Sequence, residues 1–297
     1  MTPREQGFLL LTGQLGDPFR APLTAAQFRQ LSLRAKQMQP PVQDRNLTAE
    51  DLIAIGYDRL TAEHILTLLS QKERLERYIQ TAAQRDCFPI TRLTPAYPQR
   101  LRQRLQADSP GVLWYKGDLS LLTMPAISLV GSRELLPENR AFAREAGKQA
   151  ALQGFVLISG NARGADLTAQ ESCLEHGGKV ISVVADRLEK CPLHRNVLYL
   201  SESGYDLGFS PQRALSRNRI IHCLGQKVLV AQIRLRKGGT WNGTYQNLKH
   251  RWSPVFCFDD RSLGTNALLA AGAAGITQNQ LQNLSALPLP DPNIFDQ

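Results

Sequence analysis

Two apolar runs that end in glycine carry the residues best suited to chemistry in this chain. They are Ala126-Ile-Ser-Leu-Val-Gly-Ser-Arg133 and Phe155-Val-Leu-Ile-Ser-Gly-Asn-Ala-Arg-Gly-Ala-Asp166, and each reads as a strand, a turn and the start of a helix. In an open α/β sheet such turns fall at the carboxyl edge, where ligands collect. Glycine lets backbone N–H groups approach an anion, and the following helix N-terminus favours negative charge. Arg133 and Arg163 add planar, permanently charged donor forks. The combination points to a phosphate-bearing ligand held by Gly131, Ser132 and Arg133 in one turn and by Ser159, Gly160, Arg163 and Gly164 in the other. Asp166 falls in the first helical turn, where it complements the dipole and can orient Arg163. Gly160 and Gly164 are four apart, and no acidic residue follows the next strand core until Asp186, so a dinucleotide fingerprint is disfavoured. The competing reading is a plain βα turn with an incidental arginine.

Two further segments have the right chemistry. In Ser216-Arg-Asn-Arg-Ile-Ile221, Arg217 and Arg219 flank Asn218 at the start of an apolar helical face. Two residues apart on a helix they point to different sides, so one can reach a ligand while the other braces a carboxylate; a solvated basic face fits the same letters. Arg234-Leu-Arg-Lys-Gly-Gly-Thr-Trp-Asn-Gly-Thr244 combines basic charge, Lys237 among it, with flexible Gly238 and Gly239 and the ring of Trp241. Those are the parts of a single-strand binding groove, although a buried Trp241 anchoring the next helix is equally compatible.

The elements that must position these residues follow a regular alternation. Strands are expected at 126–130, 155–159, 179–185, 227–233 and 254–258, with helices at about 137–152, 163–176, 193–203, 212–225 and 241–251. Short apolar runs alternating with helices imply parallel strands buried on both faces, a Rossmann-like, doubly wound α/β domain. Before it, Thr24–Met38, Thr48–Ser70 and Lys72–Ala83 read as helices, with Thr48 and Thr61 as expected N-caps. Leu52 to Ala62 has the shape of a helix, a glycine turn and a helix. Such a turn either offers N–H groups to a DNA phosphate or simply ends a helix. The expected organisation is a helical N-terminal domain (1–86), the Rossmann-like domain (87–280) and a proline-rich tail (281–297) without a core of its own.

Composition narrows the partner. Thirty-five basic against 26 acidic side chains give a net charge of +9, which favours nucleic acid or another polyanion. The five cysteines are scattered without a C-x-x-C pair, and the five histidines form no H-E-x-x-H. A disulfide framework and a structural metal are therefore not expected, nor is a cofactor. No apolar run approaches the roughly 20 residues of a membrane span, and no signal-peptide layout opens the chain, so the expectation is a cytoplasmic protein.

Taken in order, these segments resemble the DprA/Smf family of DNA-processing proteins. The resemblance runs from about Tyr97 to Thr277 and includes Tyr97-Pro98, Leu113-Trp-Tyr-Lys-Gly-Asp118, Val130-Gly-Ser-Arg133, Ser159-Gly-x-Ala-Arg-Gly-x-Asp166, Arg217-Asn-Arg-Ile-Ile221 and Gly264-Thr-Asn-x-Leu-Leu269 to Gly272-Ala273. It implies a Rossmann-like core that dimerises and binds single-stranded DNA in a positive pocket. It also implies delivery of the strand to the RecA recombinase during DNA recombination and natural transformation (competence), without catalysis. The chain departs from the family pattern at Ala231-Gln232, where an acidic residue is usual, at Lys237-Gly-Gly-Thr240, at Ala214-Leu215-Ser216 and at Phe258-Asp-Asp260. The C-terminal winged-helix domain of many members has no counterpart, which suits a divergent member or paralogue.

Other classes compete on the same fold. A nucleotide N-glycosidase needs an ionised carboxylate near the sugar, and Trp241 to Trp252 contains no Asp or Glu. A nucleotide-binding sensor would use the same turns and stays open at this stage.

Overall fold

The computed structural model describes residues 1–17, 19–38, 47–202 and 204–287. It divides into two compact units, residues 1–97 with 110–113, and residues 98–109 with those from 114 onward.

The first unit contains α1 (Pro3–Thr12), α2 (Ala25–Ala35), α3 (Ala49–Ala54), α4 (Arg59–Ser70), α5 (Lys72–Ala83) and the strand β1 (Phe88–Thr91). Thr2, Thr24 and Thr48 open the first three helices with reciprocal capping boxes to Glu5, Gln27 and Asp51, which satisfy N–H groups that have no helical partner. The expected cap at Thr61 is corrected: Asp58 caps α4, its carboxylate accepting the Thr61 N–H at 2.8 Å. Leu11, Leu23, Leu31, Leu52, Ala62, Ile65 and Leu68 form the core of the unit. Arg20 is buried and donates to the carbonyls of Leu10, Gly13 and Leu68, which lie where α1 and α4 run out of partners. Between α3 and α4 the Gly56 carbonyl accepts from Arg34 Nη1 at 2.6 Å. The turn thus stops one helix and caps the next, with the Thr61 N–H at the head of α4 already held by Asp58.

The second unit begins with α6 (Gln99–Leu105) and takes in most of β2 (Val112–Lys116). It continues with β3 (Ala126–Val130), α7 (Pro137–Leu152), β4 (Val156–Ser159), α8 (Ala165–Glu175), β5 (Lys179–Val183), β6 (Val197–Ser201), α9 (Pro211–Leu224), β7 (Val228–Val230), α10 (Gly238–His250), β8 (Val255–Phe258), α11 (Leu263–Ala270) and β9 (Ala274–Ile276). Strand order is β2-β6-β5-β4-β3-β7-β8-β9. Neighbours are parallel except β2 and β6, which run antiparallel. Every residue of β3, β4, β6 and β7 is buried, as a sheet covered on both faces requires. Helices α7 and α8 pack together, as do α9 and α10. The fold is the expected mainly parallel, Rossmann-like α/β sheet.

One element differs in kind. Residues 193–203, expected as a helix, hold strand β6, inserted between β2 and β5. Val197-Leu-Tyr-Leu-Ser201 is buried at every position, so partners on both sides override any helical period. The expected tail also differs, because Leu281, Leu284 and Leu287 are buried. Lys227 Nζ donates to the carbonyls of Leu284 and Ser285 at 2.8 Å each, and Gln153 exchanges bonds with Leu281 and Leu284. Residues 288–297 of that tail lie outside the described residues.

Candidate functional site

Register sets the site. Val130 lies opposite Val230, and Ser128 opposite Ile158, so β4, β3 and β7 end level with one another. The order in which strands are added to the sheet reverses at β3: β4, β5 and β6 follow on one side, β7, β8 and β9 on the other. The crevice of a doubly wound sheet opens at that point, here between the loops after β3 and β7.

The two glycine turns form one site. The Ala165 N–H donates to the Ser132 carbonyl at 3.1 Å. Gly164 has φ +92°, and a Cβ there would stand 2.5 Å from the Arg133 carbonyl oxygen, so only glycine lets the turns touch. Arg133 and Arg163 are both exposed, Arg163 just ahead of α8.

Beneath this surface lie two buried groups of opposite charge, Asp166 and Arg217, and they reassign several expected ligands. Asp166 is 7% exposed, and its Oδ2 accepts the N–H groups of Gly160 at 3.1 Å and Ala162 at 3.2 Å. Burial pushes the Asp166 carboxyl up, against the pull of Arg217, of those two N–H donors and of Arg133. Asp166 thus turns inward to Arg217 rather than orienting Arg163, and two of the turn's N–H groups are already spent. Arg217 is 8% exposed and donates to the Val183 carbonyl at the end of β5, so it braces the turn from below and does not reach the surface. Burial lowers its pKa and Asp166 opposes that effect. Ser159 is fully buried as well, its Oγ accepting from Gln170 Nε2 at 2.5 Å. Ser159, Asp166 and Arg217 build the site; the exposed arginines face out of it.

The remaining expected residues line the neighbouring walls. Arg219 pairs with Glu202, which also accepts from Ser216 Oγ at 2.6 Å, so this arginine is the one that braces a carboxylate. Asn218 Nδ2 donates to the Gly239 carbonyl at 3.0 Å and holds the head of α10 against α9. Across the crevice, Thr240 Oγ1 donates to the Gly131 carbonyl at 2.9 Å. Lys237 and Gly238 are exposed, and Trp241 is half-buried with its ring stacked on Tyr245.

Three residues absent from the expected set join the site. Gln232 closes the crevice: its carbonyl accepts from the Ser132 N–H at 3.0 Å and its Oε1 from the Leu136 N–H at 2.8 Å. The departure Ala231-Gln232 marked the position, but only the crossing of two distant loops shows its use. Arg236 is exposed at φ +53° beside Lys237, a loop conformation that composition does not reveal. Tyr245 follows Trp241 by four residues, a helical spacing that was legible once α10 was placed. Exposed Arg163, Arg133, Arg236 and Lys237 thus lie in the loops that follow three adjacent parallel strands, where Glu134 pairs with Arg234. Among the described residues no three His, Cys, Asp or Glu side chains converge on a metal site. No helix among them is long and apolar enough to cross a membrane.

Comparison with known proteins places this geometry. Residues 89–287 match the family described as DNA recombination-mediator protein A. The chain is 31% identical to DNA processing protein DprA of Streptococcus pneumoniae over 229 residues, covering 69% of this chain and 79% of that protein. It is 29% identical to protein Smf of Synechocystis sp. over 249 residues, covering 75% of this chain and 61% of the relative. The crystal structure of DprA from Streptococcus pneumoniae superposes with TM-score 0.69 at 23% identity, over 90% of this chain and 99% of the other. A DprA structure from Helicobacter pylori, reported for its single-stranded DNA binding mode, gives 0.56 at 26% identity, over 67% and 95%.

Proposed function

The chain belongs to the DNA recombination-mediator protein A family, and from that premise we propose that it binds single-stranded DNA along the carboxyl edge of its sheet. The observation that carries the reading is the set of exposed Arg163, Arg133, Arg236 and Lys237 in the loops after β4, β3 and β7. Loops that follow neighbouring parallel strands open on the same edge of the sheet, so these side chains can meet several phosphates of a strand that crosses it. Phosphate contacts hold a chain of any sequence, as DNA processing requires. No catalytic step belongs to the reading. Asp166, under the second turn, is buried and committed to backbone N–H groups, and α10 carries no Asp or Glu for N-glycosidic cleavage.

The family role extends the proposal to a homodimer that delivers the strand to a RecA-type recombinase in the cytoplasm, as in natural transformation. Light scattering tests the dimer, and nucleation of recombinase filaments on the bound strand tests delivery.

The deciding experiment is a mobility-shift titration with a long oligonucleotide, with and without competing mononucleotides. Arg133→Ala and Arg163→Ala should each weaken binding by roughly 1.5–3 kcal/mol, the range for hydrogen bonds to charged groups, with little change in Tm. Binding that survives the double variant at moderate salt would place the groove elsewhere. Saturation by one mononucleotide with indifference to long strands would make the protein a nucleotide sensor.

A further inference from the structure

Lys237, Trp241, Tyr245 and Lys249 recur at intervals of four along α10, with Lys237 as its N-cap. Side chains four apart share a face of a helix with a drift of about 40° per step, so Trp241, Tyr245 and Lys249 form one stripe, and Lys237, in extended backbone, stands at its head. At 1.5 Å per residue the stripe from Trp241 to Lys249 is about 12 Å long. The rings of Trp241 and Tyr245 lie 5.9 Å apart with planes within 12° of parallel, and Tyr245 is 45% exposed. Both lysines are exposed. The buried side of α10 is supplied by Thr244, Asn247 and Leu248, so packing of the helix does not account for Tyr245.

The upper end of the stripe is anchored at the crevice, through Asn218 to Gly239 and Thr240 to Gly131. From there α10 descends without one acidic residue and ends in Lys249 and His250. Such a face suits an anion. Cations at both ends with two parallel ring faces between them match a polymer that alternates negative charge with flat rings. An acidic peptide would satisfy the lysines and leave the ring faces uncovered, whereas a nucleotide strand satisfies both.

We propose that a single strand leaving the sheet edge continues down α10, stacking bases on the Trp241–Tyr245 pair and setting a phosphate at Lys249. This rests on the single-strand reading and adds a base-dependent segment to a phosphate-dependent one. The sheet edge grips any strand, and the α10 stripe discriminates strands whose bases are unpaired and free to stack.

The test is fluorescence anisotropy with two oligonucleotides of equal length, oligothymidylate and a fully abasic strand carrying the same phosphates. Tyr245→Ala should weaken oligothymidylate binding roughly tenfold, within the range seen on removing a stacking ring, and leave the abasic strand unaffected. Tyr245→Phe should restore binding, because the ring and not the hydroxyl does the stacking. Lys249→Glu should weaken both strands, and Arg163→Ala should also weaken both. If Tyr245→Ala binds both strands like the wild type, the α10 track is overturned while the sheet-edge reading stands. If the wild type binds neither strand, the single-strand reading fails and the track with it.

Discussion

The guanidinium of Arg217 fills the space that a side chain at Gly160 would need. A Cβ built on Gly160 would stand 2.6 Å from Nη2 and closer still to Nη1 and Cζ. Gly160 itself is not in the left-handed region; that conformation falls on Asn161 and Gly164. The glycine is required for close approach, so that an arginine from α9 can pass beneath the turn to the end of β5.

Gly160→Ala should therefore destabilise the second unit by about 1–3 kcal/mol, as overpacking does in a filled interior. Arg217 has no easy retreat, being buried and tied to the Val183 carbonyl. Urea denaturation measures the loss, and an unchanged midpoint would show that the guanidinium moves freely.

Removing either buried charge should be costly. Arg217→Ala strips the Val183 carbonyl of its guanidinium donor and Asp166 of the cation that opposes its burial, and should destabilise the second unit by about 1–3 kcal/mol. Arg217→Lys should recover part of that stability but not the turn geometry, since an ammonium cannot reproduce the fork. The informative comparison is stability against DNA affinity: the lysine variant should regain more of the first than of the second.

Lys237 stands exposed in the loop after β7, beside Arg236. Lys237→Glu should cost more DNA affinity than Lys237→Ala, because it sets a negative charge beside phosphate. The gap between the two variants should shrink as salt rises from low to moderate concentration. Equal affinities at low salt would put Lys237 outside the groove.

His222 predicts the acid limit of the fold. It is fully buried, and burial pushes its pKa down to about 3. Asn247 Oδ1 accepts the Ser253 N–H at 2.8 Å, so its Nδ2 faces His222 Nδ1 at 3.2 Å and the ring proton sits on Nε2. The unfolded histidine takes up its proton near pH 6.5, well above the folded one. Stability is thus complete above about pH 6.5 and falls by about 1.4 kcal/mol per pH unit down to about pH 3. Denaturation midpoints collected from neutral pH downward should show a shallower slope in His222→Gln than in the wild type, because the variant has no proton to gain at that site.

Much of this protein was determined by local sequence alone. Five apolar runs placed β3, β4, β5, β7 and β8 to within a few residues, because strands buried on both faces must be continuously apolar. The ordered glycine and arginine motifs named the family, and the βα turns put Arg133 and Arg163 at the carboxyl edge of the sheet. Tertiary structure decided what period and charge do not encode. It turned 193–203 into β6, because pairing on both sides outweighs local preference, and it drew Leu281, Leu284 and Leu287 onto the second unit. It also sorted the arginines. In the chain Arg163 and Arg217 are equivalent letters beside glycine and asparagine. In the fold one is exposed while the other lies buried under Gly160, in the field of an aspartate 51 positions earlier in the sequence. Burial depends on what packs against a side chain from distant segments, so which charge meets the ligand and which holds the turn is a property of the packed sheet.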